Sequence, residues 1–119
     1  MLEKIVLMGP PGAGKSSIGR ALAKELLLPF IDSDGEIEKS AGKKISEIFV
    51  DDGEPHFRAL EVDKVKELLQ EFEGVISLGG GAPINSEISQ IFTNFRNFYS
   101  VERVINYGIY ELNLCFTCV

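Results

Sequence analysis

Apolar and polar positions change their period several times along this chain. Ile5, Val6, Leu7 and Met8 form a short apolar run that Gly9, Pro10, Pro11 and Gly12 close. A run of that length, rich in β-branched residues and bounded by turn formers, predicts a buried strand over residues 4 to 8. Between residues 15 and 27 the period lengthens, and Ile18, Ala21, Leu22 and Leu26 recur at helical spacing until Pro29 ends the pattern. A second short apolar piece, Phe30-Ile31, runs into Asp32-Ser33-Asp34. Residues 35 to 50 read as one or two short helices with Gly42 as a break. The clearest helix covers residues 54 to 72, where Phe57, Leu60, Val65, Leu68, Leu69 and Phe72 share a stripe. Glu54 and Pro55 suit its first turn, and Gly74 stands where a cap is expected. Residues 75 to 78, Val-Ile-Ser-Leu, predict a further buried strand that ends in Gly79-Gly80-Gly81.

Strand, helix, strand, helices, strand is the order of a three-layer α/β/α fold, a parallel sheet with helices on both faces. Ligands of such sheets sit at the carboxyl ends of the strands. The unusual polar and glycine-rich segments, GPPGAGKSS, DSD and GGG, all fall there. After about residue 95 the periodicity fades. Residues 96 to 119 carry few charges, none after Glu111, and stay unassigned.

Composition narrows the picture. A chain of 119 residues with 45% hydrophobic and 25% charged residues fits one domain, 1–119, with a real core. Its 12 basic and 18 acidic residues leave a net charge of −6, which argues against nonspecific nucleic acid or anionic membranes as partners. No segment approaches the roughly 18 apolar residues of a membrane span. The start, MLEKIVLMG, lacks the pattern of a signal peptide. The expectation is a cytoplasmic protein, and the acidic balance does not exclude a small anionic substrate.

The segment from Gly9 to Ser16 matches G-x-x-x-x-G-K-[ST]. Glycines let successive backbone N–H groups wrap an anion, and the following helix adds its N-terminal dipole. Gly12, Ala13, Gly14, Lys15, Ser16 and Ser17 are the expected nucleotide-binding residues. Lys15 can reach the β- and γ-phosphates of ATP, and the Ser16 hydroxyl can ligate Mg²⁺. Asp-Ser-Asp at a strand end is as often a turn or helix cap as a site. Facing a nucleotide loop, Asp32 can hold water on Mg²⁺, and Asp34 can orient or deprotonate an attacking hydroxyl. Arg58, in the first turns of the long helix, is either a solvated edge residue or a planar partner for a substrate carboxylate. The run Gly79-Gly80-Gly81 is either a plain loop or a place where substrate meets backbone. His56, the sole histidine, suits a structural or surface role. Cys115 and Cys118 lack a second ligand pair for a metal, and Phe92, Phe95, Phe98, Tyr99, Tyr107 and Tyr110 read as packing residues.

Taken together, GPPGAGKSSIGRALAKELLLPFIDSD, the block from Gly53 to Glu61 (GE-x-x-F-R-x-x-E) and VISLGGGA make the sequence similar to the shikimate kinase family over about residues 4 to 90. The resemblance implies a P-loop NTPase-type fold with a five-stranded parallel sheet. It also implies transfer of the γ-phosphate of ATP to the 3-hydroxyl of shikimate, in aromatic amino-acid biosynthesis. On that resemblance Lys15 neutralises the transferring phosphate, and Ser16 with Asp32 holds Mg²⁺. Asp34 binds the shikimate hydroxyls and serves as base. Arg58 grips the carboxylate, helped by backbone at Gly79, Gly80 and Gly81.

The departure lies in the tail. The family continues to a mobile lid with a phosphate-contacting arginine and then to a second carboxylate-binding arginine. Here the last arginines, Arg96 and Arg103, stand in no segment that matches the lid, and the final strand and helix of the family are missing. The C-terminal part is therefore expected to be incomplete, with a sheet edge left open. Two alternatives stay open: a nucleotide-binding remnant without turnover, and a small kinase for another hydroxylated metabolite such as gluconate.

Overall fold

A computed structural model describes residues 3–8, 15–82, 85–92, 97–105 and 108–118. Strand β1 (Glu3–Met8) leads to helix α1 (Lys15–Leu26), then β2 (Phe30–Asp32), α2 (Ser33–Ala41), α3 (Ile45–Asp51) and α4 (Glu54–Glu71). Strand β3 (Gly74–Ser77), helix α5 (Ser86–Phe92) and strands β4 (Asn97–Ile105) and β5 (Gly108–Cys118) complete the order. The strands form one sheet in the order β2-β3-β1-β5-β4. β2, β3 and β1 run parallel, with Ile31 beside Ile76 and Ile76 beside Val6. Among the described residues no helix is long and apolar enough to cross a membrane.

Alternation along β1 splits the core into two layers. Ile5 and Leu7 point to one face, where Ala23, Val75, Ile18, Leu22 and Phe30 join them under α1. Val6 and Met8 point to the other, against Val62, Val65 and Leu68 of α4 and Ile88 of α5. Each fully buried side chain of this size contributes roughly 1.5–3 kcal/mol. A third cluster, Ile37, Ile48 and Phe57, ties α2 and α3 to α4, and Phe49 stacks on Phe57 with ring centroids 4.9 Å apart.

Two helices bury a different stripe from the one their apolar periodicity predicts. In α1 the buried positions are Lys15, Gly19 and Ala23, while Ala21 is exposed and Leu26 is 45% exposed. The sheet-facing side is made of small residues because the helix lies close to the strands. A Cβ on Gly19 would stand 2.5 Å from the Phe30 ring and 3.0 Å from Leu7. In α4 the buried stripe is Phe57, Glu61, Val65 and Leu68, with Val62 beside it. Leu60, Leu69 and Phe72 are only partly buried, and a carboxylate sits in the middle of the stripe.

Gly74 does not cap α4; Phe72 does, in an extended conformation. Gly74 opens β3 at φ 143°, a conformation that L side chains rarely adopt. A Cβ there would collide with the Pro29 carbonyl oxygen and lie 3.0 Å from Pro29 Cγ. Gly74→Ala is expected to cost about 2 kcal/mol or more, read as a fall in Tm of roughly 10 °C by circular dichroism.

The tail forms a hairpin. β5 runs antiparallel beside β1, from Glu3 opposite Cys118 to Met8 opposite Asn113, and β4 pairs antiparallel with β5. The sheet is thus mixed, unlike the all-parallel arrangement that the resemblance implies. Against the expectation of an open sheet edge, β5 covers β1, which gives partners to backbone groups that would otherwise invite a foreign strand.

Candidate active site

The carboxyl ends of the parallel strands carry the polar cluster. Lys15 opens α1 and is only 8% exposed. Burial lowers its pKa, and the negative charges of Asp34 and Asp32 pull it back up. Ser16 Oγ donates to Asp32 Oδ2 at a long 3.5 Å. Asp32 ends β2, and its other oxygen, Oδ1, accepts from Asp34 N at 3.0 Å and caps α2. The cap reading of the DSD segment holds for Asp32 through Oδ1, and its second oxygen faces Ser16. Ser17 is exposed on α1. Gly12, Ala13 and Gly14 lie outside the described residues.

Asp34 sits in the first turn of α2 with its carboxyl group against Gly79. A Cβ at Gly79 would meet Asp34 Cγ at 2.7 Å. Its Oδ1 is buried without a hydrogen-bond partner. Burial raises the Asp34 pKa to about 6, and the nearby charges of Asp32 and Glu61 push the same way while Lys15 opposes them. The neighbouring Ser33 hydroxyl is fully buried and accepts from Gly79 N at 3.2 Å. The Gly79 N–H is therefore occupied within the fold. Gly79 serves Asp34 by the side chain it lacks.

Arg58 occupies the other half of the cluster. Its guanidinium stands over Gly81, where a Cβ would meet Cζ at 3.0 Å, and it lies 5.3 Å from the Phe57 ring centroid. Arg58 Nη1 donates to Glu61 Oε1 at 3.2 Å, and Nε donates to the exposed Glu54 at 3.4 Å. Glu61 is only 1% exposed. Asn85, just before α5, also donates to Glu61 Oε1 through Nδ2, at 3.3 Å. Gly80 is half-buried, between the glycine against Asp34 and the glycine under Arg58.

The fold thus brings Lys15, Ser16, Asp32, Asp34, Arg58 and Gly79 to Gly81 to one end of the sheet. Glu61 and Asn85 are the members to which sequence pattern assigned no role. Glu61 was legible in principle: it stands one helical turn after Phe57, one before Val65, and three positions after Arg58, so a helix must bury it beside that arginine. Asn85 had no such signal, because its partners are remote in sequence. His56 is exposed, in keeping with its expected role. Arg96 lies outside the described residues. Arg103 pairs with Tyr110 in the part of the hairpin that extends past the end of β1, on the strand farthest from β2. Cys115 and Cys118 are three positions apart on β5, so extended backbone sets their Cα atoms about 10 Å apart, beyond reach of a disulfide.

Gly81→Ala is expected to displace the Arg58 guanidinium rather than the backbone, since the obstructing atoms end a flexible side chain. The melting temperature should fall by only a few degrees, while affinity for a carboxylate ligand drops about tenfold, measured by calorimetry.

The shikimate kinase family model matches residues 11–105 of the chain. The shikimate kinase of Rhodococcus jostii is 48% identical over 99 residues, which is 83% of this chain and 59% of that protein. That of Salinispora arenicola is 56% identical over 82 residues, 69% of this chain and 49% of that protein. Among solved structures, shikimate kinase from Acinetobacter baumannii in complex with shikimate superposes with a TM-score of 0.74 at 39% identity, over 79% of this chain and 52% of that one. The Aquifex aeolicus shikimate kinase gives a TM-score of 0.70 at 39% identity, over 76% of this chain and 57% of that one. The chain spans about half the length of the curated relatives it matches. With its lysine, paired aspartates and arginine gathered over one glycine segment, and with these matches along most of its length, the chain belongs to the shikimate kinase family.

Proposed function

We propose that this chain carries the phosphate and acceptor sites of an ATP-dependent shikimate kinase. The observation that carries the reading is Asp34 Oδ1, buried without a donor between Lys15 and the glycine segment. A substrate hydroxyl that reached it would supply the missing hydrogen bond and place its proton on a basic oxygen. The Acinetobacter baumannii relative was solved with shikimate, an acceptor with both hydroxyls and a carboxylate. Arg58, pinned over Gly81, suits that carboxylate.

Gly12, Ala13, Gly14, Lys15, Ser16 and Ser17 would bind the ATP phosphates. The hard oxygens of Ser16 and Asp32 face each other and fit Mg²⁺, which would neutralise phosphate charge when bound. Among the described residues no three His, Cys, Asp or Glu side chains converge on a metal site, and magnesium held largely by phosphate and water needs none. Lys15 would stabilise charge on the γ-phosphoryl group. As the 3-hydroxyl oxygen bonds to the γ-phosphorus, Asp34 accepts its proton, and ADP departs with the electrons of the broken bond. Arg58 holds the acceptor by its far end, so the hydroxyl meets Asp34 in register. The chain would act on this small molecule as a monomer.

The test is phosphate transfer from Mg·ATP to shikimate by the purified chain, with Lys15→Ala as the blank. Turnover should exceed the blank by about 10³-fold or more. A folded chain that binds ATP but makes no product would leave a nucleotide-binding remnant. Product with gluconate and none with shikimate would reassign the acceptor.

A further inference from the structure

We propose that Asn85 is a positioning residue for Arg58, acting through Glu61. The inference rests on Arg58 as the grip for the acceptor carboxylate. Arg58 and Glu61 lie one helical turn apart on α4, and the turn alone does not settle where Glu61 points. A buried carboxylate held by one arginine has lone pairs to spare and a choice of rotamers. Asn85 removes that choice. Its Nδ2 donates to Glu61 Oε1 at 3.3 Å and to the Arg58 carbonyl oxygen at 3.4 Å. Its Oδ1 accepts from Glu87 N at 3.1 Å, and its backbone N–H donates to the Ala82 carbonyl at 3.1 Å. Ser89 N closes the first turn of α5 on the Asn85 carbonyl at 2.9 Å.

One amide thus joins three elements. Its oxygen starts α5, its nitrogen holds α4 and Glu61, and its backbone ties both to the segment that leaves Gly79 to Gly81. The amide orientation follows from its partners: two oxygens face the nitrogen, and one N–H faces the oxygen. Glu61 in turn receives Arg58 Nη1, so the guanidinium is stacked over Gly81 from a fixed anchor. Asn85 touches neither reactant; it sets where Arg58 stands.

The variants separate this role from helix capping. Asn85→Asp keeps a side-chain oxygen, caps as well as asparagine, and cannot donate to Glu61. Asn85→Ser likewise caps but is too short to bridge. In the full chain, Asn85→Ser should leave Tm within about 5 °C and both variants should leave ATP affinity within about twofold, while Asn85→Asp, which sets a second carboxylate against buried Glu61, should melt lower. Shikimate affinity should fall about tenfold or more. The Arg58 Nη–H resonances, assigned through Arg58→Lys, should exchange with water about tenfold faster, because Nη1 is the donor to Glu61. Asn85→Asp combined with Glu61→Gln reverses the polarity of the bridge at constant charge and should restore both readings. Equal shikimate affinity and equal Nη–H exchange in Asn85→Asp or Asn85→Ser would overturn the proposal. So would a double variant no better than the single one. If Asn85→Asp does not fold, Asn85→Ser decides between bridging and capping by the same two readings. If the unaltered chain binds no shikimate, the proposed function fails, while the Nη–H exchange still decides the role of Asn85.

Discussion

Asp34→Asn is expected to lower phosphate transfer by about 10²–10⁴-fold while leaving ATP affinity nearly intact, in a steady-state assay with shikimate. The carboxyl group lies against Gly79 with one buried oxygen lacking a donor, and asparagine fits the same space without accepting a proton. The pH dependence carries a second signature. With a pKa of about 6, the group is mostly ionised at neutral pH and still basic enough to take a proton. In the unaltered chain, kcat/KM for the acceptor should climb tenfold per pH unit below about 6 and level off above it.

The same residue should expose a cost in stability. The folded-state pKa lies above the ordinary value of 3.8, so folding favours the neutral acid. Stability is complete below the unfolded pKa and is lost as pH rises through about 6. Asp34→Asn is therefore expected to melt higher than the parent at pH 8. The gain is about 1–2 kcal/mol once partial solvent screening is allowed for, and the two curves should converge below about pH 4. A variant that is both more stable and nearly inactive is what a strained functional group predicts.

Arg58→Ala is expected to raise the acceptor KM by about 10²-fold or more and to destabilise the fold by about 2–4 kcal/mol. Two effects are mixed in that variant. One is the loss of the group proposed to hold the acceptor carboxylate. The other is the desertion of Glu61, a buried carboxylate left with Asn85 as its remaining donor. Adding Glu61→Gln separates them, because it removes the stranded charge while the arginine stays absent. The double variant should recover much of the Tm and none of the acceptor affinity. Recovery of affinity would show that Arg58 acts only as the counterion of Glu61.

The periodicity of apolar positions was enough to order the parallel half of the sheet and its covering helices. Strands β1 (Glu3–Met8), β2 (Phe30–Asp32) and β3 (Gly74–Ser77) and the long helix to Glu71 fall within one residue of where local pattern put them. The reason is physical: short β-branched runs and a 3.6-residue period constrain the backbone locally. Lys15, Asp32, Asp34, Arg58 and the three glycines were visible as a set because they fall at strand ends or beside a motif. Which face each helix buries was decided later, by packing. Gly19 and Ala23 admit α1 close to the sheet, and that approach displaces Ala21 and Leu26 to solvent.

The tail and the shell around Arg58 were decided only in three dimensions. An apolar, weakly charged stretch has no period that tells a parallel strand from a hairpin; the free edge of β1 selects the pairing. Helical spacing puts Glu61 beside Arg58 but does not give its second partner, and Asn85 carries no signal until α5 lies against α4. What this sequence determined by itself is the list of chemical groups and the strands that present them. What tertiary structure alone decided is how those groups are held. Hydrogen bonds between residues 24 to 46 positions apart, Glu61 with Asn85 and Ser33 with Gly79, leave no trace in local pattern.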